Sequence, residues 1–137
     1  LSDEYHIVLV GLTKRQIRKL PDNITGIERT GDTEELVKIY SSADIFINPS
    51  VEESFSLVTV EAMACGTPVI VLDTSAVKEL VNENSGLVLN KPRAQDYMKA
   101  IQTIERQNLQ RCTVRARAER FDKNRQMEEI IKLYKTI

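Results

Sequence analysis

The chain carries two cysteines, Cys65 and Cys112, and one histidine, His6, in 137 residues. The cysteines are far apart in sequence and one histidine cannot complete a ligand set, so no zinc site is expected. Cys65 falls in an apolar helix pattern and Cys112 in a polar one, which predicts two free thiols in a reducing, cytoplasmic compartment rather than a bridge. His6 opens a strand and is expected to be structural. Neither sign of charge is in excess. The formal net charge of −1 gives the chain as a whole no electrostatic case for nucleic acid or a membrane surface, so any anion must be met by local geometry. Runs of the ~18–20 apolar residues that span a bilayer are absent, and Leu1-Ser2-Asp3-Glu4 does not read as a signal peptide. Neither a G-x-G-x-x-G nor a Walker phosphate loop occurs.

What is present fits a folded domain. Apolar residues make up 42% and charged residues 28%, as in globular proteins. The length suits one ordinary domain and is short for a two-domain enzyme. The first strand pattern begins at Tyr5 with almost no lead-in, so the chain is expected to be a piece of something longer.

Brief unalternating apolar runs, Ile7–Val10, Ile45–Ile47, Pro68–Leu72 and Leu87–Leu89, read as strands buried on both faces, and Ile24–Thr30 as a weaker one. Helix patterns separate them: KRQIRKL after Gly11, TEELVKIYSSA capped by Asp32 or Thr33, LVTVEAMAC, and SAVKELV capped by Ser75. This alternation predicts an α/β domain, a Rossmann-like three-layer parallel sheet. From Pro92, a good first-turn residue, the pattern turns wholly helical: PRAQDYMKAIQTIERQ, then roughly 109–121, then a helix capped by Asp122. Met127, Ile130, Ile131, Tyr134 and Ile137 give that last helix one apolar stripe, which needs a surface to lie on.

Asn48-Pro49-Ser50 ends the third strand, placing Val51–Ser56 in a loop at the carboxyl edge of the sheet, where ligands of open α/β folds bind. The next helix starts near Ser56 or Leu57 and stops at Gly66. Its free amides, Ser56 to Thr59, are expected to point into the loop with the positive end of the helix dipole, a setting for phosphate. Glu61 sits one turn inside this helix among Leu57, Val58, Val60, Ala62, Met63 and Ala64. Burial there would cost several kcal/mol unless something satisfied the carboxylate, and a vicinal diol such as a ribose suits two acceptor oxygens. Glu53, in the loop, faces the same opening. The residues alone leave a second reading open, in which Glu61 and the Glu52-Glu53 pair are solvated surface charges.

The stretch SADIFINPSVEESFSLVTVEAMACGTPVIV, followed by GLVLN, resembles the nucleotide-sugar-binding domain of retaining GT-B glycosyltransferases of family 4, the glycosyl transferases group 1. Glu53 and Glu61 take the two acidic positions of that family's motif and Phe55 the aromatic one. Ala62-Met63-Ala64, Gly66, Pro68 and Val69 complete the match. The similarity covers nearly the whole chain from Ile7, although Lys123 stands where an aromatic residue is common.

The resemblance implies that Glu61 holds the ribose of a nucleotide-diphosphate sugar and that Glu53 positions the transferred sugar as the catalytic-site carboxylate. Main-chain amides of Phe55, Ser56, Leu57 and Val58 would meet sugar and diphosphate, and backbone around Ile27 to Arg29 the base. No metal and no further cofactor are implied; the cosubstrate is a UDP-, GDP- or ADP-sugar. Ser54 and Ser56 depart from glycines common beside Phe55, so the loop is less free to take positive φ and a Ser56 side chain is placed to cap the helix and compete with an anion. The family's Arg and Lys for the diphosphate, and its acceptor-binding N-terminal domain, belong to units not in this chain. Residues 1–91 are then the nucleotide-sugar-binding core and 92–137 a helical tail of the same domain. The N-terminal acceptor domain and first βα unit are absent, and no turnover is expected from these residues alone.

The expected parent is a bacterial, cytoplasmic hexosyltransferase of polysaccharide biosynthesis acting on a glycan or lipid-linked acceptor, with peripheral contact at the inner face of the membrane left open. A GT-B nucleotide-sugar epimerase domain and a non-catalytic nucleotide-binding module are the alternatives. Arg106, Arg111, Arg115, Arg117, Arg120, Lys123 and Arg125 make the tail locally basic, diluted by Glu105, Glu119 and Asp122; a solvated helical face is expected. Cys65 is read as packing.

Overall fold

The structure, a computed structural model, describes residues 4–74 and 76–135. These fall into two compact units, one ending at Lys38 and one beginning at Ile39. Ser75 and Ile137, named above as a helix cap and the end of an apolar stripe, lie outside the described residues.

In the first unit β1 (Ile7–Val10) and β2 (Ile24–Ile27) pair in parallel, with Ile7 opposite Ile24 and Val10 opposite Ile27. The short α1 (Lys14–Ile17) connects them. Thr13 starts α1 with a reciprocal cap: its Oγ1 accepts from the Gln16 amide at 3.4 Å, and Gln16 Oε1 accepts from the Thr13 amide at 2.9 Å. His6 Nε2, just before β1, lies 2.8 Å from Thr25 Oγ1 of β2, a contact that fits a structural role. Of the two expected caps for α2 (Thr33–Ser42), Asp32 is the one used, its Oδ1 accepting from the Glu35 amide at 2.8 Å.

The second unit alternates β3 (Phe46–Asn48), α3 (Leu57–Ala64), β4 (Val69–Leu72), α4 (Val77–Leu80) and β5 (Gly86–Leu89). All three strands are parallel in the order β3-β4-β5. Central β4 is apolar throughout because both its faces are covered, and all four residues are buried. Met63 and Ala62 of α3, Ile101 and Ile104 of α5 (Ala94–Gln107) and Val114 of α6 (Arg111–Ala118) complete the core. Truncating Ile70 at its centre would cost about 2–5 kcal/mol. The α/β, Rossmann-like class read from the alternation is therefore observed, with its strands divided between two parallel sheets, one in each unit.

The tail departs from expectation at its start. Pro92 precedes the helix rather than joining its first turn, because Arg93 is extended (φ −90°, ψ 166°) and its amide donates to Asp96 Oδ2 at 2.8 Å. A 3-10 turn, Glu119–Phe121, follows α6. Asp122 caps α7 (Lys123–Lys135), its Oδ1 accepting from the Asn124 amide at 2.9 Å. The stripe of Met127, Ile130, Ile131 and Tyr134 is exposed.

Of the tail arginines read as a solvated face, Arg111 and Arg115 are exposed and Arg117 half-buried, and all three also bond to the backbone of other elements. Arg111 donates to the carbonyls of Ser41 at 2.7 Å, Ala43 at 3.2 Å and Cys65 at 3.4 Å, and to Thr67 Oγ1 at 3.1 Å. Arg115 Nε donates to the Ala64 carbonyl at 2.9 Å. Arg117 donates to the carbonyls of Leu80, at 2.8 Å, and Glu79. These oxygens close α2, α3 and α4, where helix carbonyls lack intrahelical donors and the dipole end is negative. The arginines of α6 thus terminate three helices. Gly66 permits the approach: its φ is +79°, and a Cβ there would stand 2.9 Å from the Arg111 carbonyl oxygen.

Candidate functional site

The loop between β3 and α3 is held by a buried polar triad. Asn48 Nδ2, at the end of β3, donates to Ser56 Oγ at 2.8 Å and to Thr59 Oγ1 at 3.3 Å, and the two hydroxyl oxygens are 2.7 Å apart. All three residues are buried. Ser56 takes a left-handed conformation, φ 66° and ψ 70°, which costs a non-glycine residue roughly 1–2 kcal/mol. Its hydroxyl, committed to Asn48 and Thr59, makes no cap to α3. The expectation that Ser54 and Ser56 restrict positive φ and that Ser56 caps the helix is thus corrected at Ser56, because the triad holds both its backbone and its side chain.

The Ser56 side chain consequently leaves the amides at the helix start uncapped. Thr59, expected among the free ones, is bonded: its amide donates to the Ser56 carbonyl at 3.1 Å. Leu57 and Val58 occupy the first two helical positions, whose amides have no intrahelical acceptor. Phe55, just before them, has its ring edge-on to Phe121 with centroids 6.0 Å apart, and Arg117 stacks over Phe121 at 5.3 Å. The 3-10 turn of the tail thereby supports the loop.

At the carboxyl ends of β3 and β4 lies a cleft of about 530 Å³ lined by Val51, Glu52, Glu53, Ser54, Asp73 and Thr74. Two of these residues each carry an oxygen, Glu53 Oε2 and Thr74 Oγ1, that is buried and has no hydrogen-bond partner among the described residues. An unpaired buried polar oxygen of this kind costs about 1–3 kcal/mol. Asp73 is engaged by Lys78, 3.4 Å away.

Glu61 is not among the residues lining that cleft, and its surroundings differ from those expected. It is exposed. The core side of α3 is Thr59, Ala62 and Met63, and position 61 falls off that face of a 3.6-residue repeat. Its charge is solvated, so burial does not by itself demand a diol. One carboxylate oxygen does have a partner: Tyr40 Oη donates to Glu61 Oε2 at 3.3 Å. Burial, then the Glu61 charge and that hydrogen bond, push the Tyr40 phenol up to about 12. It therefore remains a donor through neutral pH.

Ile27 and Arg29 belong to the first unit. Ile27 ends β2 and its carbonyl accepts from the amides of Gly11 at 2.9 Å and Leu12 at 3.1 Å; Arg29 is exposed two residues on. Cys65 and Cys112 are free thiols. Among the described residues no group of three or more His, Cys, Asp or Glu could hold a metal ion, and no helix is long and apolar enough to cross a membrane. Sequence reasoning missed Tyr40 and Thr74 and the side-chain roles of Asn48 and Thr59. Asn48 ends a strand just before Pro49, a local signal that was available; Tyr40 lies 21 residues from Glu61 and carries none.

The family described as Glycosyl transferases group 1 matches residues 1–107. The chain belongs to this family. A D-inositol 3-phosphate glycosyltransferase of Rhodococcus jostii is 35% identical over 92 residues, covering 66% of this chain and 20% of that protein. A GDP-mannose-dependent alpha-(1-6)-phosphatidylinositol dimannoside mannosyltransferase of Mycobacterium tuberculosis is 35% identical over 112 residues, covering 79% and 28%. The chain thus spans between 20% and 28% of the length of these relatives. Sucrose-phosphate synthase from Thermosynechococcus elongatus superposes with a TM-score of 0.79 at 29% identity, over 94% of this chain and 37% of that one. Anabaena HepE in complex with UDP has a TM-score of 0.75 at 23% identity, over 98% and 42%. The fold of this glycosyltransferase domain is that of GT-B enzymes.

Proposed function

We propose that the chain is the donor-binding part of a retaining glycosyltransferase that takes a hexose-type sugar from a nucleoside diphosphate to a glycan or lipid-linked acceptor. The observation that carries this reading is Glu53, which lines a cleft at the carboxyl edge of a parallel sheet and whose Oε2 is buried without a partner among the described residues. Sugar hydroxyls are donors of the kind it lacks. The uncapped start of α3 then meets the diphosphate through the amides of Phe55 to Val58, its dipole stabilising the charge that develops on the leaving oxygens. Glu61 takes the ribose through its exposed carboxylate, and Glu53 positions the sugar without attacking it.

In this reading the diphosphate charge is handled by amides and, in the full enzyme, by basic residues outside this chain, so that binding to the chain is weak and turnover needs the acceptor-binding part. Residues 1–91 form the binding core and 92–137 its helical tail. A cytoplasmic enzyme of bacterial polysaccharide assembly, in peripheral contact with the membrane, fits this chemistry. The test compares UDP-glucose, GDP-mannose and ADP-glucose with UDP, GDP and ADP for the chain and its Glu53→Gln variant. The sugar should add affinity only when Glu53 is intact, with a loss of about three- to tenfold in the variant. Equal loss for nucleotide and nucleotide sugar, or none, would remove Glu53 from the site.

A further inference from the structure

Tyr40 is held more firmly than a peripheral tyrosine of an amphipathic helix needs to be. Its side chain is buried, and its ring packs edge-on against Phe46 with centroids 5.5 Å apart. Its carbonyl accepts from the fully buried Thr67 hydroxyl at 2.6 Å. Thr67 Oγ1 in turn accepts from Arg111, which also holds the carbonyls of Ser41 and Cys65. The end of α2, the end of α3 and the start of α6 are thereby tied together beside the Tyr40 ring. The Tyr40 hydroxyl donates to Glu61 Oε2. Among the described residues the second carboxylate oxygen, Oε1, takes no hydrogen bond.

A free glutamate side chain on a helix samples many rotamers, and fixing one before a ligand arrives removes part of the entropy cost of binding. We propose that Tyr40 is a positioning residue, anchoring one oxygen of Glu61 so that the other is presented to the ribose diol of the donor. The inference rests on the assignment of Glu61 to the ribose. Tyr40 touches no substrate; it acts through the carboxylate alone, so its effect must depend on the ribose hydroxyls.

The test is an NMR titration of the 137-residue chain with UDP, GDP and ADP and with their 2′-deoxy counterparts. Tyr40→Phe keeps the ring packed on Phe46 and removes only the donor. It should weaken the ribonucleotide by about three- to tenfold and leave the 2′-deoxy nucleotide within about twofold. Equal weakening of both, or of neither, overturns the role of Tyr40. Glu61→Ala should abolish the preference for ribose; if wild type shows no such preference, or Glu61→Ala retains it, the ribose assignment itself fails. As a check independent of folding, tyrosine labelled at Cζ in the unmutated chain should give a Tyr40 signal that moves more with the ribonucleotide than with the deoxy form. Equal movement would contradict the proposal.

Discussion

The guanidinium of Arg111 donates to the Ser41 carbonyl at 2.7 Å across 70 residues of sequence, and with the same group reaches Ala43, Cys65 and Thr67. One side chain at the start of α6 therefore terminates α2 and α3 together. Both helices carry a member of the Tyr40–Glu61 pair.

Removing that side chain should be felt in stability. Hydrogen bonds from a charged donor contribute about 1.5–3 kcal/mol, and Arg111→Ala leaves the carbonyls without their donor. We expect a loss of about 2–3 kcal/mol, read as a lower urea midpoint at unchanged slope. Arg111→Lys should recover only part of it, because an ammonium cannot span several acceptors in one plane. A surface-like change of a few tenths of a kcal/mol would contradict the bracing role.

At Ser56 two effects oppose each other. Ser56→Ala keeps the left-handed backbone and removes the hydroxyl that Asn48 and Thr59 share, so it should destabilise by about 1–3 kcal/mol. Ser56→Gly loses the same hydroxyl but relieves the positive φ, and should cost less, by about 1 kcal/mol. Denaturant unfolding of the two variants checks the order. Alanine proving the milder change would mean that the triad contributes little.

Tyr40 gives a pH dependence with a definite sign. Its folded value, about 12, lies above the ordinary 10.0, chiefly through burial and then through the Glu61 charge. A raised folded value means that the unfolded state gives up the proton first. The contribution to stability is fully present below the ordinary value and is lost as pH climbs through the folded one. Between these limits wild type should lose stability faster than Tyr40→Phe, with the labelled Tyr40 Cζ signal titrating near the upper limit. Parallel alkaline curves for the two proteins would remove the pair from the balance.

Much of the fold was legible because its signals are local. Strand and helix order, the Asp32 and Asp122 caps and the stop at Gly66 follow from apolar runs, capping residues and one position of positive φ. The strand assigned to Ile45–Ile47 lies one residue later, at Phe46–Asn48, and Pro92 proved to precede its helix. Strand neighbours are not written in a run of Val and Ile, so the division into β1-β2 and β3-β4-β5 is visible only in the structure. Within the site, the spacing of Glu53 and Glu61 on a loop and the following helix was readable, but which of the two would be buried was not. Glu53 has the hidden, unpaired oxygen, whereas Glu61 is exposed. Periodicity fixes which side of a helix is buried only once the packed face is known, and α3 is apolar nearly all round. The roles of Tyr40, Thr67 and Arg111 depend on contacts spanning 21 to 70 residues, for which a single sequence holds no pattern.

The most direct measurement is an amide-resolved NMR titration of the chain with UDP, GDP and ADP into the millimolar range. The account predicts that at least one binds, and that the largest shifts fall on the amides of Phe55, Ser56, Leu57 and Val58, with Glu53 and Glu61 following. Shifts confined to other surfaces, such as the exposed stripe of α7, or the absence of binding by all three, would contradict it.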